Sequence, residues 1–318
     1  MKGFSPRAVF LPPLLLALVF CLASCGGSSS APTGREAKAE SGRELVEQAT
    51  LRSIRSGWLE ARFALDNETK GEEVEWSVLS PFAGLDERRG PEVNAHFEGS
   101  GIYDGQITRE AGRLTILLGG TALRQNGTVR TLRGALQDAN DVGCESGLKA
   151  IHVGDLLEEV RSKPIPNSEA TVVEAKLDLP AFLSAVGDLS KTSTCGGLLR
   201  EAGVSLAALK ALEAEVRDTF EKSEASFTIG KGHVLERLVL EIWVKSAPPT
   251  TEEVDGRLEV NLSRLNEIDS VAGPAARKTA LHGKHLGAGQ RRSLEAGAAL
   301  LRALLHPLGA GPSGESHE

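Results

Sequence analysis

Residues 58–65 read WLEARFAL, and in this stretch the apolar residues Leu59, Ala61, Phe63 and Leu65 alternate with positions that include the charged Glu60 and Arg62. A period of two residues predicts a β-strand with one dry face and one wet face. Asn126-Gly127 is typical of a two-residue hairpin turn. Residues 58–132 therefore read as an antiparallel meander, and the pattern resumes in the second half of the chain. The other alternating segments are residues 73–78, 92–97, 113–118, 170–177, 225–229, 233–245 and 258–263.

Segments with the period of a helix lie between these strands. The helical segments are residues 43–55, 132–160, 179–189 and 205–220. Asp178 is a helix-start residue, and residues 161–169, which contain two prolines, read as a connector. Helices clustered between strand meanders indicate an α+β fold, in which helices pack on one face of one large, continuous antiparallel sheet. The folded part, residues 43–270, then consists of two similar halves, 43–160 and 170–270.

The composition excludes several classes of protein. The 318 residues include 43 acidic and 36 basic side chains, and this net charge of −7 argues against broad nucleic-acid binding. Only 4% of the residues are aromatic, which argues against a base-stacking surface. No internal run reaches about eighteen clean apolar residues, so a protein with several membrane spans is excluded.

The N-terminal segment has the features of a lipoprotein signal. Lys2 and Arg7 precede an apolar stretch that is short and broken by prolines, as in the h-region of a signal peptide. Leu22-Ala23-Ser24-Cys25 then fits a bacterial lipobox, whose cysteine receives a diacylglycerol and becomes the first residue after cleavage. We therefore predict a signal peptide over residues 1–24 and lipid attachment at Cys25. An ordinary secretory signal that contains a cysteine is the alternative.

The predicted anchor sets the location of the protein. Residues 25–42 are rich in Gly, Ser and Ala and read as a flexible tether. Two acyl chains on Cys25 anchor a protein stably. We expect the folded part at the outer face of the bacterial cytoplasmic membrane, or at the outer membrane if the cell has two.

Two further features concern the exported domain. Cys144 and Cys195 are the pair that remains after cleavage and lipidation, and an even pair in an exported protein favours a disulfide over two separate buried thiols. Residues 271–318 form a Gly-rich, basic tail with a short helix over residues 291–305. We favour a solvated, partly disordered extension over a helix that lies on an anionic membrane.

No stretch of the chain contains a recognisable catalytic motif. The sequence contains no nucleophile elbow, phosphate loop, zinc-protease helix or dinucleotide fingerprint. His282 and His285 lie three residues apart in a Gly-rich segment without a third ligand nearby, so no metal site is expected. Acidic pairs such as Glu158-Glu159 are adequately explained as solvated charge. We predict neither an enzyme nor a bound cofactor, and a hydrolase is the least favoured of three hypotheses.

Apolar side chains on the dry face are the remaining candidates for a site. These are Trp76, Phe97, Ile116, Phe227, Leu240 and Ile242. Such a stripe is ordinarily plain core, but a curved sheet and its helices can also leave a gap lined by the same side chains. Alternation alone does not separate a filled core from a lined cavity.

The order of elements resembles one known family. A lipobox and tether lead to a helix, a meander, then Val172-Val173-Glu174-Ala175-Lys176-Leu177-Asp178 into a helix and a closing pair of long strands. Over about residues 43–268 this is similar to the actinobacterial lipid-carrier lipoproteins of the LppX and LprG type. The resemblance implies a curved half-barrel sheet with helices on its concave face, around a cavity for lipid or glycolipid. The expected function is therefore to bind or transfer a hydrophobic ligand in the cell envelope.

The chain departs from that family in its Cys144/Cys195 pair, its longer middle and its basic tail. The alternative function is a surface-tethered interaction or sensor module that has a solid core and no ligand. The resemblance assigns no protein partner.

Overall fold

A computed structural model describes residues 41–51, 54–67, 71–83, 92–99, 105–110, 113–118, 121–123, 152–191, 210, 220–245, 253–271 and 280–281. Helix α1 spans Gly42–Leu51, helix α2 spans Leu179–Lys191, and a 3₁₀ turn spans Val153–Leu156. The strands are β1 (Gly57–Asn67), β2 (Glu72–Ala83), β3 (Glu92–Gly99), β4 (Gly105–Glu110), β5 (Arg113–Leu118), β6 (Thr121–Leu123), β7 (Leu157–Pro164), β8 (Thr171–Leu177), β9 (Phe220–Gly230), β10 (Val234–Lys245), β11 (Glu253–Ser263) and β12 (Ala280–Leu281).

All twelve of these strands belong to one sheet, in the order β12-β6-β5-β4-β3-β2-β1-β11-β10-β9-β8-β7. Every pairing is antiparallel except that of β12 with β6. The two ends of the order, β12 and β7, are not paired with each other in the described part, so the sheet is open. The prediction of one continuous, largely antiparallel sheet is confirmed.

The pairing of β1 with β11 joins the two predicted halves. Trp58 faces Ser263 and Asn67 faces Val254 in a register without shifts. Strands β1 to β6 lie on one side of this seam, and β7 to β11 lie on the other. The first and last long strands of the domain are therefore neighbours in its centre.

One face of the sheet, here called the inner face, is buried, because most of its positions carry apolar side chains. Two buried serines, Ser80 and Ser223, also lie on it. A single register row crosses seven strands on this face, from β3 to β8, and each member is buried. Its members are Phe97, Val78, Ala61, Val260, Leu238, Phe227 and Val173. The intervening positions, such as Glu60 and Arg62, point to the opposite, outer face.

Both helices begin at side-chain caps. Ser41 and Glu44 form a capping box at α1, with Ser41 N–H donating to Glu44 Oε2 at 2.8 Å and Glu44 N–H donating to Ser41 Oγ at 3.3 Å. Asp178 caps α2, since its Oδ1 accepts a hydrogen bond from Ala181 N–H at 2.9 Å. The predicted start of the second helix at Asp178 is thus confirmed.

Helix α1 is held by polar contacts from both of its sides. Glu47 accepts from the Gly154 N–H at 3.0 Å and lies 2.9 Å from His152 Nδ1. Gln48 hydrogen-bonds His233 in the turn between β9 and β10. A close approach also occurs at its first residue, because a Cβ on Gly42 would lie 2.7 Å from a Val160 methyl.

Several sequence predictions are wrong in detail. Residues 157–160 were assigned to the helical middle and 161–164 to the connector, but all belong to strand β7. Strand β7 is the sheet edge and is exposed on both faces at most positions, so it has no alternation to detect. Phe220 begins β9 and does not end the preceding helix. Helix α1 ends at Leu51, short of the predicted residue 55.

The dry face of β10 was also misassigned at its start. The sequence pattern places Val234 on the inner face, but Leu235 is the buried residue. A register shift between Leu235 and Arg237 shows that β10 has one extra residue there. Such a bulge exchanges the inward and outward positions of the residues that precede it.

Candidate functional site

The inner face contains the residues that the sequence singled out. Phe97 lies in β3, Phe227 in β9, and Leu240 and Ile242 in β10, and these four side chains are only 0–3% exposed. They all face the same side of the sheet, as predicted from alternation. The side chains of Trp76 and Ile116 lie outside the described part. The backbone of Trp76 pairs with Phe63 of β1, and that of Ile116 with Ile107 of β4.

The four buried side chains line no open space in this conformation. A side chain beside a void wide enough for water retains accessible surface, and exposures of 0–3% leave almost none. Phe227, for example, lies between its register partners Leu238 and Val173, which are also buried. Hydrocarbon could reach these residues only by displacing the groups that cover them.

The outer face carries a network of ion pairs. Arg237 pairs with Glu259 at 2.8 Å, and Arg257 pairs with Glu241. Lys176 pairs with Glu159 across β7 and β8 at 2.6 Å. Cross-strand pairs of this kind are largely exposed, so each contributes little to stability. Their more important effect is to balance charge over the outer face.

Two pKa values reflect this network. Burial works to raise the pKa of Glu259, but the hydrogen bond from Asn261 and the positive charge of Arg237 outweigh it and hold the pKa below its ordinary value. The hydrogen bond and charge of Lys176 lower the pKa of Glu159. Both carboxylates are therefore ionised at neutral pH, which keeps the ion pairs intact.

A groove of about 550 Å³ crosses strands β7 to β10 on the outer face. Its floor contains two short side chains, Ser226 of β9 and Val239 of β10, which are register partners. Its rim consists of long charged side chains: Glu159, Arg161, Glu174, Lys176, Glu224, Arg237 and Glu241. We call this feature the outer groove. The sequence analysis assigned Glu159 to a helical segment and Arg161 to a connector, and it interpreted the outward positions of the other strands only as a solvent-exposed face. The signal that it missed is a pair of short side chains surrounded by long ones.

His152 forms a pH-sensitive contact with helix α1. Its hydrogen bond to Glu47, followed by the charge of that carboxylate, raises the pKa of His152 above its ordinary value of 6.5. Protonated His152 therefore binds α1 more strongly than neutral His152 does.

Several predicted features lie outside the described residues. These are the signal peptide, Cys25, Cys144, Cys195, the Asn126-Gly127 turn, the helix over residues 291–305 and nearly all of the helix over residues 205–220. Within the described ranges, no group of three His, Cys, Asp or Glu side chains is placed to bind a metal ion. No helix among those residues combines the length and hydrophobicity required to cross a bilayer.

Comparison with known proteins assigns the chain to no group. No protein-family model matches it, and no curated protein sequence matches it. The similarity to lipid-carrier lipoproteins therefore remains one of element order alone.

Proposed function

We propose that this protein is a bacterial envelope lipoprotein, anchored through Cys25, that binds or transfers a lipid or glycolipid. The observation that carries the proposal is the continuous apolar inner face, which is seven strands wide. At about 4.8 Å per strand and about 25 Å of strand length, its area is roughly 850 Å². The sequence motif Leu22-Ala23-Ser24-Cys25 supports the anchor.

The proposed ligand site is the interface between the inner face and its cover. Helices α1 and α2 have 10 and 13 residues, so they are about 15 and 20 Å long and about 10 Å across. Their combined footprint of roughly 350 Å² is less than half of the apolar face. In this proposal the sheet curves as a half-barrel, the helices lie on its concave side, and hydrocarbon takes the place of covering side chains when the cover opens.

Organic extraction tests ligand binding. The full chain, purified from its own envelope, is extracted without saponification, so that the acyl groups on Cys25 stay attached, and the extract is analysed by mass spectrometry. We expect a stoichiometric lipid and displacement of a fluorescent fatty acid. A clean extract together with no displacement overturns the carrier proposal.

A pair of variants localises the binding. Leu240→Trp adds side-chain volume on the inner face. Leu79→Trp adds the same volume on the outer face, where Leu79 is 44% exposed. We expect fatty-acid binding to weaken at least tenfold in the first variant and to be unchanged in the second. Circular dichroism and urea unfolding establish that both are folded. Equal effects of the two substitutions contradict a site beneath the sheet.

A surface-tethered module with a solid core is the second candidate. The near-complete burial of Phe97, Phe227, Leu240 and Ile242 favours it, because a filled core leaves no space for hydrocarbon. This candidate predicts a clean extract and a specific protein recovered by crosslinking in intact cells.

Anchoring is tested separately. We expect Cys25→Ala to leave an uncleaved precursor that no longer incorporates labelled fatty acid, because the thiol that is alkylated is absent. Unchanged labelling in this variant would contradict the lipobox assignment and leave the ligand question open.

A further inference from the structure

The outer groove has the size of a ligand site but a charged lining. Its volume of about 550 Å³ falls within the usual range of about 300–1,000 Å³ for small-ligand pockets. Apart from Val239 and two alanines, the lining side chains are polar or charged. A hydrocarbon ligand is therefore unsuited to this site, and the groove is on the opposite face from the apolar one.

Six of the seven charges on the rim are already compensated by ion pairs, and the seventh, Arg161, acts on Glu159 through its charge. Each of the four rim glutamates has a cation of its own: Lys176 for Glu159, Lys163 for Glu174, Lys222 for Glu224 and Arg257 for Glu241. Arg237 in turn pairs with Glu259. A strongly charged ligand would have to displace or crowd these pairs. A neutral ligand leaves them in place.

The ion-paired groups retain hydrogen-bonding capacity. An ionised carboxylate has about four acceptor positions and a guanidinium has five N–H donors, and a single ion pair uses only one or two of each. The Ser226 hydroxyl adds both a donor and an acceptor at the floor. The groove therefore presents a dense, mixed set of donors and acceptors to a neutral partner.

An aromatic ring lies beside this set. Trp243 follows Glu241 by two residues on the outer face of β10, so it is about 7 Å further along the strand. Trp243 is outside the lining of the groove itself, and its indole is partly exposed. Lys245 Nζ lies over one face of the ring, 6.0 Å from its centroid, so a ligand would contact the ring beside this ammonium group. The flat apolar surface of an indole suits the flat, C–H-bearing face of a sugar ring, and the polar groups nearby can form hydrogen bonds with the hydroxyls of the sugar.

From these features we infer that the outer groove is a binding site for neutral saccharide chains, with Ser226 and Val239 beneath the sugar, the rim side chains bonding its hydroxyls and Trp243 contacting one ring. This site and the proposed lipid site lie on opposite faces of the sheet. The saccharide proposal therefore does not depend on the lipid proposal.

Direct binding tests the inference. Fluorescently labelled neutral hexasaccharides of glucose, mannose and galactose are titrated with the full chain in a detergent that carries no sugar headgroup. We expect at least one of them to bind with a dissociation constant in the micromolar to millimolar range, and to bind equally well at 0.05 and 0.5 M salt. No binding of any of the three at millimolar protein, or tighter and salt-sensitive binding of an acidic hexasaccharide, overturns the inference.

Matched variants locate the site. Ser226→Tyr fills the floor of the groove, whereas Ser77→Tyr places the same ring on the outer face of β2, outside the groove. Trp243→Ala removes the aromatic ring, and Trp58→Ala removes the other partly exposed tryptophan of the outer face. We expect at least tenfold weaker binding for the Ser226 and Trp243 variants and less than a twofold change for their controls. Wild-type affinity in Ser226→Tyr refutes a site in the groove.

Discussion

Truncation of Phe227 gives the most direct measure of how the inner face is filled. The ring is 0% exposed and lies between two buried register partners, Leu238 and Val173, so Phe227→Ala leaves a space that the rigid strands cannot close. An aromatic side chain buries about 150 Å² or more, which at about 25 cal/mol per Å² corresponds to about 4 kcal/mol. This agrees with the roughly 3–5 kcal/mol measured for such truncations in cores.

The assay is urea unfolding of the full chain, followed by far-ultraviolet circular dichroism. We expect the free energy of unfolding to fall by about 3–5 kcal/mol in Phe227→Ala. Leu79→Ala, on the outer face, is the control and should cost no more than about 1 kcal/mol, because Leu79 is 44% exposed. A loss below about 1 kcal/mol in Phe227→Ala would refute the close packing of the ring and would favour an inner face that is open in solution.

Three further predictions concern the helices. Glu47→Gln replaces the carboxylate whose hydrogen bond and charge raise the pKa of His152. The stabilisation that the variant loses, under about 1 kcal/mol, should be fully seen below pH 6.5 and should vanish as the pH rises through the folded-state pKa of His152. A difference between wild type and variant that instead grows with pH contradicts this linkage. Gly187→Ala should stabilise α2 by about 0.5–1 kcal/mol through the higher helix propensity of Ala, because no residue in the described part of the chain lies within 4 Å of the new methyl. Gly42→Ala should destabilise the chain by forcing α1 away from the sheet. Thermal unfolding that ranks these two variants in the reverse order would be the contrary result. Asp178→Ala should cost about 1 kcal/mol through loss of the helix cap, and Asp178→Asn should restore most of it.

The predictions that succeeded rest on local periodicity. Alternation in residues 58–65 and 225–229 identified side chains that are buried in β1 and β9, because successive side chains of any strand point to opposite faces. The helix start at Asp178 was also readable, since the capping residue acts within one turn of its own helix. The capping box of Ser41 and Glu44 was equally readable and was overlooked.

The predictions that failed concern strands without a regular phase. Strand β7 alternates poorly because it is an edge strand exposed on both faces, and Glu159 adopts a φ of 49° at a register shift within it. Charged side chains, a bulge and Pro164 also protect such an edge from pairing with other chains. In β10 the extra residue near Glu236 changed which side chains face inward, so that Leu235 is buried. Neither the register shift in β7 nor the one in β10 has a signature in the amino-acid composition.

The residues by themselves determined most of the side chains that are buried on the inner face and where α2 begins. The lipoprotein leader before Cys25 stays a prediction from the sequence. The residues did not determine which strands are neighbours. The pairing of β1 with β11 joins residues about 200 positions apart, and it depends on the packing of the whole inner face rather than on either strand. The outer groove is likewise a tertiary feature, because its floor and rim come from four strands whose side chains meet only once the sheet is assembled and twisted.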